Sequence, residues 1–78
     1  MSTHTSVVSA KDIAYGWDPT FQTYFVQVRI SVSGKWVAWT GTFPFEHTDP
    51  EGAVRVLSKY LPEEDLQGHA ELLRTSAG

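Results

Sequence analysis

A chain of 78 residues without cysteine must hold a small core together with neither disulfides nor thiolate metal sites, near the lower size limit for a self-sufficient domain. Its net charge of −3 is unevenly placed. Residues 1–43 set Lys11, Arg29 and Lys35 against Asp12 and Asp18, whereas residues 44–78 set Arg55, Lys59 and Arg74 against Glu46, Asp49, Glu51, Glu63, Glu64, Asp65 and Glu71, which argues against broad phosphate binding on a cationic stripe.

In chain order, Met1-Ser2-Thr3-His4-Thr5 has neither the basic nor the apolar stretch of a secretory signal and reads as a frayed end. Val7-Val8 fits either an extra strand or a packed arm. Ile13, Tyr15 and Trp17 alternate with Ala14 and Gly16, the period-two signature of a strand. Asp18-Pro19-Thr20 is turn chemistry, and a four-residue loop from Asp18 to Phe21 sets Tyr15 opposite Tyr24 and Ile13 opposite Val26. The segment Tyr24 to Phe43 then folds on itself about Ser33-Gly34, read as a two-residue hairpin turn. In that register Ile30 faces Val37, Val28 faces Trp39, Val26 faces Gly41 and Tyr24 faces Phe43, all on a core side. Ser31 with Trp36, Arg29 with Ala38, Gln27 with Thr40 and Phe25 with Thr42 occupy the other side.

Pro44, having no N–H, stops the ladder. Thr48-Asp49-Pro50-Glu51 is a capping box, and the helix that follows presents Ala53, Val54, Leu57, Tyr60 and Leu61 at helical spacing. Pro62 ends it and opens a second helix with Leu66, Ala70 and Leu73, joined by Leu72, as its apolar stripe. Glu63, Glu64 and Asp65 suit that helix's dipole, and Gly68 weakens it by roughly 1 kcal/mol relative to alanine. Thr75-Ser76-Ala77-Gly78 reads as a second frayed end. The expected fold is one α+β domain over residues 1–78: a three-stranded antiparallel meander, four-stranded if Val7-Val8 pairs, with two C-terminal helices on one face. The longest apolar run, Trp36 to Trp39, falls far short of the roughly 20 residues of a membrane helix, so a soluble, cytoplasmic protein is expected.

No motif names a reaction. His4, His47 and His69 fall in separate expected elements, and His47 beside Glu46 and Asp49 suits a loop before a helix better than a metal site or proton relay. Gly34, Gly41 and Gly52 form no phosphate loop, and no nucleophile stands at a motif spacing from a base. No cofactor is implied, and a non-enzymatic protein is expected. Trp39, Tyr24, Phe43, Tyr15 and Tyr60 read as core or core edge. Phe25 and Trp36 fall on the polar side with Gln27, Arg29 and Thr40. Aromatics with one arginine match the make-up of protein interfaces, so these five residues form the expected partner-binding surface, for another protein or for a symmetric homodimer. An acidic phage- or plasmid-type inhibitor acting through Glu63, Glu64 and Asp65 is one alternative. A single-stranded nucleic-acid binder using the aromatics with Arg29 and Lys35 is another.

The segment Ile13-Ala14-Tyr15-Gly16-Trp17-Asp18, followed by Tyr24-Phe25-Val26-Gln27-Val28, resembles the opening of small uncharacterised bacterial proteins that share a Tyr-Gly-aromatic-Asp turn before an aromatic-rich strand. The resemblance implies a bacterial or mobile-element accessory protein and carries no activity.

Overall fold

The computed structural model describes residues 2–76. Strands β1 (Ser2–Val8), β2 (Lys11–Asp18), β3 (Thr23–Ile30) and β4 (Trp36–Thr40) form an antiparallel sheet in the order β1-β2-β3-β4, and helices α1 (Pro50–Ser58) and α2 (Glu63–Arg74) follow. The α+β meander is therefore four-stranded. Val7-Val8 belongs to a strand whose described residues run from Ser2, so Ser2 to Thr5, read as part of a frayed end, are paired with β2 in a ladder from Ser2↔Trp17 to Val8↔Lys11. Met1, Ala77 and Gly78 of the two expected frayed ends lie outside the described residues. No helix among the described residues is long and apolar enough to cross a membrane.

A turn the sequence hides makes β1 possible. Ser9 and Ala10 both take positive φ, 51° and 62°, as the two central residues of a type I′ turn must. Asparagine and glycine usually serve there, so Ser-Ala gives no signal. The next loop is four residues long, as expected, but spans Pro19 to Gln22, because Asp18 stays in the strand and accepts from the amides of Thr20 and Phe21. Moving both ends of a loop by one residue changes the pairing by two, so Tyr15 meets Val26 and Ile13 meets Val28. Side-chain parity survives, and Ile13, Tyr15, Tyr24, Val26 and Val28 all face the helices.

The β3–β4 hairpin departs from expectation by an odd number. Ser33-Gly34 is not a two-residue turn: Gly34 donates to the Ile30 carbonyl and Ile30 donates to Lys35, closing a wider loop. A β-bulge at Val37 then follows, with Arg29 opposite Trp36 but Val28 opposite Ala38, Gln27 opposite Trp39 and Val26 opposite Thr40. An odd shift exchanges the faces of a strand. Trp39, expected opposite Val28 in the core, is therefore 55% exposed, and Thr40 and Ala38 cross to the helix side. Phe43, expected opposite Tyr24, lies beyond the strand and is exposed.

Beyond β4 the chain turns through Gly41 and Phe45, both at positive φ. It then runs beside the start of β3, where Tyr24 donates to the His47 carbonyl and the buried Thr23 hydroxyl accepts from the His47 amide. Asp49, not Thr48, caps α1 by accepting from the Glu51 amide, with Pro50 in the first turn. Ala53, Val54 and Leu57 of α1, Leu61 between the helices, and Ala70 and Leu73 of α2 complete the core, while Leu72 points outward. Arg74 of α2 forks onto Glu51 of α1 at 2.6 and 3.2 Å.

Candidate functional site

With both helices on one side, no helix packs on the opposite side of the sheet among the described residues. Parity places on it Thr3, Thr5 and Val7 of β1, Asp12, Ala14 and Gly16 of β2, Phe25, Gln27 and Arg29 of β3, and Trp36 and Trp39 of β4. Of the expected binding residues, Phe25, Gln27, Arg29 and Trp36 are on this face. Thr40 is not: it pairs with Val26 and bonds to the Glu46 carboxylate and His47 on the other side. Phe25, one of the expected binding residues, is only 8% accessible. It lies opposite Gly16, and its backbone is approached so closely by Gly41 that a Cβ there would fall 2.5 Å from the Phe25 Cα.

Trp39 takes the place that sequence reasoning gave to Phe25. The bulge brings two tryptophans three residues apart onto one face, their ring centroids 4.7 Å apart and tilted by 45°. Trp36 is 44% exposed, and the Arg29 guanidinium lies 5.5 Å above its ring. The indole pair forms a ridge between two hollows that both touch Gln27. The larger, about 370 Å³, runs past Arg29, Asp12 and Ala14 towards Thr5 and Val7; the smaller, about 210 Å³, is bordered by Phe21, Phe25, Trp39 and Thr42. Ala14 of β2 lines the larger hollow, and one indole of β4 borders each.

The charges on this face cancel. Asp12 accepts from the Ser31 hydroxyl at 2.8 Å and from Arg29 at 2.9 Å. The Ser31 hydroxyl, and then Arg29, hold its carboxyl below the usual carboxylate range. Arg29 is thus already paired, and with its guanidinium 5.5 Å from the Trp36 ring centroid it offers a partly satisfied donor set instead of free positive charge.

Two other clusters have structural explanations. Glu46 Oε1 accepts from the amides of Gly41, Thr42 and Phe43, and Oε2 accepts from the Thr40 hydroxyl. The Thr40 hydroxyl and then the amides of Thr42, Phe43 and Gly41 hold the pKa of this carboxyl below its ordinary value. Since Thr40 has one proton and gives it to Glu46, the His47 Nε2 at 2.7 Å from the same oxygen is the donor of that contact. Asp49 is committed to its helix cap, and no group of three or more metal-ligating side chains occurs among the described residues.

The second cluster brings two histidines from separate elements, His4 of β1 and His69 of α2, to one tyrosine. The His4 ring sits 5.5 Å from that of Tyr15, whose hydroxyl lies 2.6 Å from the His69 Nδ1. Burial raises the Tyr15 pKa, the opposite of what an activated tyrosine requires. The groove on the open face contains a carboxylate, Asp12, but no histidine.

Comparisons with protein-family models, curated proteins and solved structures found no match to this chain. Sequence reasoning missed Trp39 because alternation counts every residue of a strand and a bulge does not.

Proposed function

We infer that this chain is a non-enzymatic protein-interaction module that docks a protein partner on its open sheet face. The observation that carries this reading is the half-exposed Trp36–Trp39 pair, flanked by two hollows and backed by Arg29. Tryptophan and arginine dominate the binding energy of protein interfaces, and they do so where a pocket lets a partner exclude water around them. The compensated Arg29–Asp12 pair favours a protein surface over a phosphate backbone, which would meet the Asp12 carboxylate beside its only nearby guanidinium. Truncating either indole removes contact area without opening the core, since both lie outside the buried cluster.

The test compares capture by the wild type, Trp36→Ala and Trp39→Ala from the proteome of the source cell, with far-UV circular dichroism confirming the fold of each. A partner bound by the wild type and weakened by about 2 kcal/mol in either variant supports the reading. A partner held equally by all three overturns it. If neutralising Glu63, Glu64 and Asp65 abolishes the capture instead, the contact lies on α2. Binding of a single-stranded oligonucleotide at low salt would move the reading to nucleic acid.

A further inference from the structure

The two edges of the sheet are protected very differently. On the β4 side the strand is short, broken by the Val37 bulge and followed by Pro44, all devices that discourage another strand from pairing. On the β1 side, Ser-Thr-His-Thr-Ser-Val-Val is paired with β2 along its whole length without a bulge and contains no proline and no acidic, lysine or arginine side chain. No strand covers its outer edge among the described residues.

The turn at Ser9-Ala10 decides which backbone groups are free there. A two-residue hairpin makes its flanking residues, Val8 and Lys11, a mutually hydrogen-bonded pair, and bonded and non-bonded pairs then alternate along the ladder. Ser6 and His4 therefore bond inward to β2. Thr3, Thr5 and Val7 turn their N–H and C=O groups outward. All three are β-branched, suited to an extended chain.

We propose that this edge pairs with the same edge of a second copy of the chain, β1 antiparallel to β1 about a two-fold axis through Thr5, giving one continuous eight-stranded sheet. That axis sets Thr5 against its symmetry mate and Thr3 against Val7 of the copy, so each outward N–H meets an outward C=O. A second copy is the fitting occupant because the strand is self-complementary in charge. With no acidic, lysine or arginine side chain on it, two copies of a chain of net charge −3 approach along an edge where like charges do not face each other. Geometry favours it too. A two-fold axis perpendicular to the sheet keeps both helix pairs on one side and both open faces on the other. The groove that runs from Trp36 to Thr5 and Val7 then continues across the seam into its counterpart. The arrangement builds on the docking-face reading by doubling that face, but it does not use the indoles.

Sedimentation equilibrium of the full chain tests it with Thr5→Pro, Thr5→Lys and Thr5→Glu. Thr5→Pro deletes only an outward N–H, which an edge strand tolerates within the fold. The expected results are a wild-type dimer, self-association at least roughly tenfold weaker in Thr5→Pro, and separate Thr5→Lys and Thr5→Glu samples that stay monomeric at low salt. Mixing those last two should restore a dimer, because only an axis through residue 5 sets the new charges face to face. Circular dichroism reads the fold of each variant, and Trp36→Ala should dimerise as the wild type does, so this inference and the docking-face reading fail separately. A monomeric wild type at high micromolar concentration, a Thr5→Pro dimer of undiminished strength, or a Lys–Glu mixture that stays monomeric would each overturn the edge pairing.

Discussion

Gly41 and Gly34 both take positive φ, 84° and 73°, but they differ in what an added methyl would meet. At Gly34 nothing lies within 4 Å of an added Cβ, so Gly34→Ala carries only the left-handed backbone penalty, about 1–2 kcal/mol. At Gly41 the same Cβ would fall 2.5 Å from the Phe25 Cα and 2.6 Å from its Cβ, and closer still to the Tyr24 carbonyl oxygen. Most of that is backbone of β3, an inner strand paired on both sides, so it has nowhere to retreat. Relief requires the end of β4 to peel away, which adds an overpacking cost of about 1–3 kcal/mol. Gly41→Ala is therefore expected to lose about 3 kcal/mol in all, with the backbone penalty included. At roughly 4–8 °C per kcal/mol for a domain this size, Tm should drop by at least about 12 °C, well beyond the fall for Gly34→Ala. Thermal and urea melts followed by circular dichroism measure both. If the two variants prove equally stable, the close approach that seals Phe25 does not constrain the fold, and the argument about its burial fails.

Two further outcomes follow from the loop and turn chemistry. The folded state lowers the Glu46 pKa, through the Thr40 hydroxyl first and then the amides, so its ionised form stabilises the fold. That contribution is complete above the unfolded value of about 4.3 and disappears as pH falls through the depressed folded value. Glu46→Gln should thus cost about 1–2 kcal/mol at pH 7 and much less at pH 3 by urea titration; a pH-independent difference would show that the charge is not what the loop uses. Ala10→Gly should stabilise by about 1 kcal/mol, because alanine is held at a φ of 62° where glycine is not strained. An unchanged urea midpoint would argue against the I′ geometry of that turn.

The fold was largely legible because its elements rest on patterns that local errors do not disturb. The Asp18 loop was displaced by one residue at each end, yet Ile13, Tyr15, Val26 and Val28 kept their faces. Ala53, Val54, Leu57, Ala70 and Leu73 were readable from helical spacing alone. β1 was less legible because its turn uses Ser-Ala at φ values those residues seldom adopt, and because Thr and Ser on both faces give alternation no contrast. The candidate site was half legible. Gln27, Arg29 and Trp36 were placed on the correct face, but Thr40 and Trp39 were exchanged, since a single extra residue in the hairpin inverts everything beyond it.

That extra residue also explains how the indole pair can exist. Positions 36 and 39 of a regular strand point to opposite sides, so both tryptophans reach the open face only if one residue between them leaves the ladder. Leaving the ladder strands a carbonyl, and a half-buried carbonyl without a donor is costly. Val37 resolves this: its carbonyl accepts from the Tyr60 hydroxyl at 2.9 Å, while its side chain packs against the core. Tyr60 stands in the turn between α1 and α2, so the helical layer supports the bulge from behind the sheet. Reading Tyr60 as core or core edge places its ring but not its hydroxyl, although a partly buried phenol needs an acceptor. The exposed surface is thus set from the covered side: the tyrosine under the sheet stabilises the break in pairing that turns Trp36 and Trp39 outward together.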